Sequence, residues 1–356
     1  MHDVFKDLTV IELAGVLAGP SVGLFFAELG AKVIKIENPK TGGDVTRSWK
    51  LSTEDPSEKD SAYYWSVNAG KEVLFLNLSD AKDLEQLYAL AKTTDIVITN
   101  YKAGDDQKLK VDYATLSAIN PLLIYASVNG FGKDQPRTAY DLILQAESGF
   151  MFMNGEKDAA PLKMPVALID VLAGHQLKEA VLIALLQRYK KGKGMTLSVS
   201  LFDTAIASLA NQATNWLIAH HLPVSQGSLH PNIAPYGELF TTADHHTITF
   251  AIGSDRQFQK LCGILGLEIA RDARYASNQE RVKHREELSA ILGEKIRGHS
   301  FQDLYQACLE LDIPIGKIRN LEEVFQLPEA QQLVRSWQIK GKPLKTVSSI
   351  GFTIDP

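Results

Sequence analysis

The chain has 356 residues, with 37 Lys and Arg against 42 Asp and Glu for a formal charge of −5, 45% hydrophobic residues and two cysteines. At roughly 150 residues per domain this suggests about two domains with real cores, and it excludes disorder, collagen-like repeats and a coiled coil. No basic run is longer than Lys190-Lys191, so there is no footprint for a nucleic-acid backbone, whose binding depends on neutralising several phosphates.

Cys262 and Cys308 are too few for a disulfide framework and lack Cys-x-x-Cys spacing, which points to a reducing, cytoplasmic setting and away from structural zinc. The amino terminus carries acids where a secretion signal needs a basic and then an apolar stretch. The most apolar run, residues 180–186, is far shorter than the ~18 residues of a membrane span, so a soluble chain is expected.

In chain order, residues 8–13 read as a strand, 20–29 as a helix closing on Gly30, and 31–36 as a second strand. Strands at 73–78, 96–98 and 122–128 with a helix over 80–91 continue the alternation. Strands interleaved with helices predict an α/β fold, a doubly wound, Rossmann-like, mostly parallel sheet whose ligands bind outside the carboxyl ends of the strands. A long helix is expected over 171–189, closed by Lys190-Lys-Gly-Lys-Gly194, then a strand over 196–201 and a helical stretch over 203–220. Residues 223–237 are dense in Pro, Gly, Ser and Asn and mark a boundary. Beyond it, a hairpin over 239–242 and 247–252 with helices at 257–265, 281–297 and 301–311 predicts a smaller α+β domain.

Two places could carry chemistry. The first strand-turn-helix reads Ile11-Glu-Leu-Ala-Gly15-Val-Leu-Ala-Gly19-Pro-Ser-Val-Gly23, and the second strand runs on to Glu37. An acid there would suit the ribose of a nicotinamide dinucleotide, but the glycines are spaced Gly-x-x-x-Gly-x-x-x-Gly rather than Gly-x-Gly-x-x-Gly, so neither nicotinamide nor flavin is expected. Gly19 and Gly23 read as positions of close helix-sheet packing. The second place is Asp170, where the apolar run 164–169 meets a helical pattern. There it is expected at a strand-to-helix elbow, either as an N-cap held ionised by the helix dipole or as a carboxylate nucleophile toward an activated acyl group.

The surroundings of Asp170, from Ile169-Asp-Val-Leu-Ala-Gly174 through Arg188-Tyr-Lys-Lys-Gly-Lys-Gly194 to Val199-Ser-Leu-Phe-Asp203, resemble the family III CoA-transferases, the CaiB/BaiF family. The likeness continues in order in Leu17-Ala-Gly-Pro20, Gly30-Ala-Lys-Val-Ile-Lys-Ile-Glu37, Gly43-Asp44 with Arg47, Asn68-Ala-Gly-Lys71, Asp95-Ile-Val-Ile-Thr-Asn100-Tyr and Tyr140-Asp141 with Gln145. In the smaller unit it extends to His230-Pro-Asn-Ile-Ala-Pro-Tyr236 and Gly253-Ser-Asp-Arg-Gln-Phe258.

The resemblance implies that CoA moves from an acyl-CoA donor to a free carboxylic acid through covalent intermediates on Asp170, with CoA as substrate and no metal or redox cofactor. It points to Val16, Leu17, Leu76, Asn100, Tyr101, Lys108, Tyr140 and Leu201 for CoA binding. Tyr101-Lys102 stands where Phe-Arg is common and Lys108 where an Arg is often found, so phosphate would meet a point charge rather than a fork. The resemblance also implies an interlocked homodimer, a large domain from 1–222 and 319–356, and a small domain from 223–318.

Three departures refine this. α-Methylacyl-CoA racemases share the fold and the aspartate, but they carry a His where Tyr140 stands; a Tyr with an ordinary pKa near ~10 is a poor base, which favours transfer over racemisation. His175 is the only tempting substitute base and reads better as a packed or surface residue. The glycine run and the Gln at the place of Leu17 found in formyl-CoA transferases are absent, so small oxalate-like acids are not specifically supported, and the family's usual Pro-rich tail is not seen before Thr353-Ile-Asp-Pro356. A CoA-ester-binding protein without turnover is the alternative outside the enzymes.

Overall fold

The computed structural model describes residues 3–339 and 341–354. Its elements run β1 (Thr9–Leu13), α1 (Ala18–Glu28), β2 (Lys32–Glu37), α2 (Ala62–Asn68), β3 (Glu72–Phe75), α3 (Ala81–Ala91), β4 (Ile96–Thr99), α4 (Asp105–Lys108), α5 (Tyr113–Ile119) and β5 (Ile124–Asn129). They continue with α6 (Asp141–Glu147), α7 (Phe150–Met153), α8 (Leu168–Lys191), β6 (Met195–Ser200), α9 (Leu201–Ala207), α10 (Ala210–Ala219), β7 (Tyr236–Thr241), β8 (Thr247–Ala251) and α11 (Asp255–Ile264). The last are α12 (Asn278–Lys283), α13 (Arg285–Ile296), α14 (Phe301–Glu310), β9 (Ile315–Lys317), α15 (Leu321–Val324), α16 (Pro328–Gln331), β10 (Val334–Ile339) and β11 (Lys342–Val347).

The fold is mixed α/β. Six strands pair in the order β3-β2-β1-β4-β5-β6, every pairing parallel. This is the doubly wound order, with its reversal point between β1 and β4. Strand residues alternate between two cores, as a pleat requires. Val10, Ile96, Ile98, Ile124 and Ala126 pack with α1 and α8, while Ile11, Ile34, Val97 and Tyr125 pack with α3 and α5. Helix α8 buries Ile169, Ala173, Leu177, Val181 and Ala184, a stripe at steps of four and three, and crosses α1 so closely that a Cβ on Gly174 would lie 2.3 Å from Ser21 Oγ.

Two compact units emerge. The first runs through Met151, resumes over Lys163–Pro223 and takes in the chain from Gln331 onward; the second is Phe152–Leu162 with Val224–Ala330. The segment 152–162 thus groups with the second unit, and that unit runs on past residue 318. Within it, β7-β8-β9 form an antiparallel sheet over a core of Phe250, Phe258, Leu292 and Leu304 that also holds the free thiols of Cys262 and Cys308.

Two expected helices are each broken in two. The stretch 203–220 divides between α9 and α10, with Ala210 at φ 48°, and 281–297 divides at His284 between α12 and α13. The antiparallel pair β10–β11 is an element not expected from the sequence.

Candidate active site

At the carboxyl ends of β1 and β4 a cavity of about 600 Å³ opens, lined among others by Val16, Leu17, Asn100, Tyr101, Tyr140, Asp170 and Leu201. A ligand site at this reversal point is where an open parallel sheet places one. Leu76, which directly follows β3 and is buried in the core beneath α3 and α5, and Lys108, exposed and paired with Asp105 at 2.8 Å, are not among the residues lining this cavity.

Asp170 does not occupy the expected elbow. Residues 163–167 form no strand; α8 begins at Leu168 with Ala167 at its N-cap and no side-chain cap, so Asp170 is the third helical residue. Pro165 supplies no N–H for a sheet ladder, and the run it sits in has no strand beside it. Nor is Asp170 held ionised by the helix. It is 8% exposed, accepts no hydrogen bond from the described residues, and burial together with the charge of Asp141 pushes its pKa up to about 7. A helix start favours the anion by only about 0.3–1 kcal/mol, which desolvation outweighs here.

The cap of α8 comes from α6. Asp141 Oδ1 accepts from Ile169 N–H at 2.8 Å and Oδ2 from Gln145 Nε2 at 2.7 Å, while Gln145 Oε1 accepts from Met164 N–H at 2.8 Å. The amide of Ile169 is therefore not free to stabilise an oxyanion. Tyr63 of α2 feels the same group of carboxylates: burial and then the charges of Asp170, Asp141 and Asp44 raise its pKa, and its ring stands edge-on to Trp49 at 5.2 Å.

In the same cavity, the turn after β1 is pinned on both sides. Asn100 accepts from Gly15 N–H at 3.1 Å and donates to Gly15 O at 2.8 Å. Val16 has φ 69°, a left-handed conformation that costs a β-branched residue about 1–3 kcal/mol. Its N–H donates to Asp44 at 3.2 Å. Asp44, Lys35 and Glu12 form a buried chain: Lys35 Nζ lies 2.9 Å from Glu12 and 3.1 Å from Asp44, and Glu12 also holds Lys71 at 2.7 Å. Against the burial that would raise it, Lys35 and Thr46 keep the Asp44 carboxyl below its ordinary range. Burial lowers Lys71 to about 8 although Glu12 opposes it.

Gly19, Gly23 and Glu37 are each taken up by packing or by charge and hydrogen-bond partners. A Cβ on Gly19 would sit 2.5 Å from Ala14 Cβ and one on Gly23 1.8 Å from Glu12 Oε2, the close helix-sheet approach read from the sequence. Glu37 is taken up by Arg47 at 2.7 Å and Tyr64 OH at 2.9 Å. Burial, with Asp106 and Asp105, raises Tyr101 to about 12; Tyr140 is 57% exposed and His175 lies on the exposed side of α8. Among the described residues no group of three side chains is arranged to hold a metal ion, and no helix is long and apolar enough to cross a membrane.

Asp44, Asp141, Trp49 and Tyr63 were not among the expected site residues. Asp44 and Asp141 lie inside stretches that carry the family resemblance, and their neighbourhood to Val16 and Ile169 spans 28 residues in each case, a distance no local pattern reports.

The parallel doubly wound sheet carries a cavity at its reversal point, and Asp170 in the cavity wall is buried with a second carboxylate, Asp141, rather than a cation shifting its pKa. The model of CoA-transferase family III matches residues 5–354; the chain belongs to that family and is a CoA-transferase. It is 40% identical over 333 residues to succinate–glutarate CoA-transferase of Agrobacterium fabrum, covering 92% of this chain and 82% of that one. It is 34% identical to human succinyl-CoA:glutarate CoA-transferase, covering 91% and 74%. A crystal structure of a CaiB/BaiF family protein from Brucella suis superposes with a TM-score of 0.87 at 35% identity, over 99% of this chain and 93% of that one.

Proposed function

We propose that this CoA-transferase moves CoA between dicarboxylic acids, of the succinate and glutarate class, with Asp170 as the covalent nucleophile. The observation that carries the mechanism is Asp170 itself: a carboxylate in the cavity wall, desolvated, with a pKa of about 7 and no hydrogen bond to it from the described residues. Support for the substrate class comes from the named activities of the two transferases above.

An oxygen of ionised Asp170 attacks the thioester carbonyl of the donor; the C–S bond breaks and CoA leaves as thiolate, giving an acyl-aspartyl anhydride. The thiolate attacks the aspartyl carbonyl, releasing the donor as free carboxylate and leaving an aspartyl-CoA thioester. The acceptor carboxylate attacks that thioester to form a second anhydride, and the thiolate then attacks its acyl carbonyl, giving acceptor-CoA and restoring Asp170. No proton is gained or lost over the cycle. Oxyanion stabilisation falls to Leu17 and Ala18 N–H at the start of α1, since Gly15, Val16 and Ile169 N–H are engaged by side chains.

CoA is held along the cavity by Val16, Leu17, Asn100, Tyr101, Tyr140 and Leu201; Lys108, exposed and next in sequence to the lining residue Gln107, meets its phosphates, whereas Leu76, buried in the core, takes no direct part. The working form is an interlocked homodimer in a reducing, cytoplasmic setting; the exposed apolar side chains of Ile183, Leu186 and Tyr189 on α8 and of Trp216, Leu217 and Ile218 on α10 are surface for a partner chain to cover. Free Cys262 and Cys308 suit that compartment.

The test is CoA transfer from succinyl-CoA to glutarate, isotopically labelled succinate, oxalate and acetate compared side by side. Glutarate and succinate should exceed acetate in kcat/KM by at least tenfold. Equal rates on acetate, or transfer confined to oxalate, would remove the substrate class while leaving the family intact.

A further inference from the structure

The turn Gly15–Val16–Leu17 carries two of the residues assigned above to CoA, and it is held in a conformation that Val16 does not favour, at φ 69°. Two side chains hold it. Asn100 fixes Gly15 from β4; the Val16 N–H is fixed by Asp44, whose side chain is 1% exposed and lies beyond the end of β2.

Every contact to the Asp44 carboxylate comes from a donor. Oδ1 accepts from Thr46 N–H at 3.0 Å and Thr46 Oγ1 at 2.8 Å. Oδ2 faces Lys35 Nζ at 3.1 Å and Val16 N–H at 3.2 Å. Lys35 is in turn fixed by Glu12 at 2.9 Å and by Ala14 O at 2.7 Å, and Glu12 and Lys35 are register partners on neighbouring strands. A rigid buried chain therefore runs from inside the sheet to a single strained amide in the cavity wall. A buried network of this completeness is costly to assemble only for packing, which apolar residues do as well; it can, however, hold one backbone geometry against strain.

We propose that Asp44 is a positioning residue for CoA transfer: with Lys35 and Glu12 behind it, it locks Val16 in the left-handed turn that shapes the wall of the cavity that Asp170 also lines, and turns the free amides of Leu17 and Ala18 toward that cavity. This rests on reading that cavity as the acyl-CoA site. Asp44 touches no substrate; it acts through Val16.

The test uses the full chain. Asp44→Asn keeps the volume, but whichever way the amide turns it sets an NH2 against a donor, and with Thr46 still satisfied it faces Lys35 and Val16 N–H. Acyl-CoA KM should rise tenfold or more in Asp44→Asn. Replacing Val16 by Gly removes the strain that Asp44 opposes, so Val16→Gly with Asp44→Asn should recover KM to within threefold of Val16→Gly alone. A structural role for Asp44 would lower the melting temperature without this coupling. KM and kcat within twofold of the unmodified protein, or a double variant whose losses simply multiply, would overturn the proposal.

Amide exchange in the unmodified chain gives a readout independent of variant folding. Val16 N–H should exchange at least tenfold more slowly than Leu17 N–H, for which no acceptor is found among the described residues; equal rates overturn the proposal. Binding of acyl-CoA to the unmodified chain separates the two levels. If no acyl-CoA binds, the reading of the cavity fails; if it binds and Asp44→Asn binds as well, only the positioning role fails.

Discussion

Asp141 accepts a hydrogen bond from the Ile169 N–H at 2.8 Å and, from the same place, raises the pKa of Asp170 one residue further on. A single carboxylate of α6 therefore both caps α8, whose own N-cap residue Ala167 offers no acceptor, and adds its charge to the burial that keeps the candidate nucleophile basic. A more basic carboxylate is a better nucleophile, provided that it is ionised at the working pH.

The pH dependence follows. Asp170 must be ionised to attack, and its pKa is about 7, so kcat/KM for acyl-CoA should climb through an acid limb centred near pH 7 and level off above it. Asp141→Asn keeps an acceptor for Ile169 but removes the charge, and the limb should move down by about one pH unit, part of the way only because burial is the larger cause. A limb unmoved by Asp141→Asn would assign it to another group.

Stability should respond with the opposite sign to Asp170→Asn. The folded-state pKa of Asp170 lies above its unfolded value, so the protonated side chain is comfortable below pH 4 and stability is lost as pH rises through about 7. At 1.36 kcal/mol per pH unit, the difference from the ordinary 3.8 amounts to about 4 kcal/mol as an upper bound. Asp170→Asn should therefore melt higher than the native protein at pH 8 and much closer to it at pH 4, while transfer is lost at both. Thermal unfolding at the two pH values measures this directly.

Gly174 sets the distance between α8 and α1. A Cβ there would lie 2.3 Å from Ser21 Oγ and 3.2 Å from Ala18 O; the hydroxyl can rotate away and the carbonyl cannot. Gly174→Val should cost about 1–3 kcal/mol by overpacking and reduce kcat as the helix that carries Asp170 is displaced. Chemical denaturation with parallel rate measurements would check both.

The exposed apolar residues of α8 and α10 give a prediction about assembly. The protein should sediment as a dimer at micromolar concentration, and Leu217→Asp with Ile218→Asp, changes at residues 73% and 76% exposed in the single chain, should weaken or prevent that association. A monomer in the unmodified protein would contradict the proposed dimer.

Much of the fold was legible because a parallel sheet announces itself: β-branched runs separated by helical spacing leave few topologies, although the strand order around β1 and β4 is a tertiary fact that crossover handedness does not set. The breaks at Ala210 and His284 were not legible, since neither Gly nor Pro marks them. The alternation in β10 and β11, with Gly341 at φ 79° in the turn, is a hairpin signal of the ordinary kind and was available. Asp170 was legible as a candidate and mislocated in detail, because apolar residues 164–169 resemble a strand to any local rule and only the absence of a partner strand decides otherwise. The raised pKa of Asp170 was not legible at all: the helix start argued for an ionised group, and the burial and the neighbouring Asp141 that outweigh it are tertiary facts. The same holds for Asp44, whose bond to Val16 joins residues 28 apart.

The central claim is that Asp170 is the covalent nucleophile. Intact mass after mixing with succinyl-CoA, followed by hydroxylamine trapping and digestion, tests it most directly. The account predicts a hydroxamate at Asp170 and none in Asp170→Asn. Transfer to an acceptor acid with no adduct at Asp170, or undiminished transfer by Asp170→Asn, would contradict it.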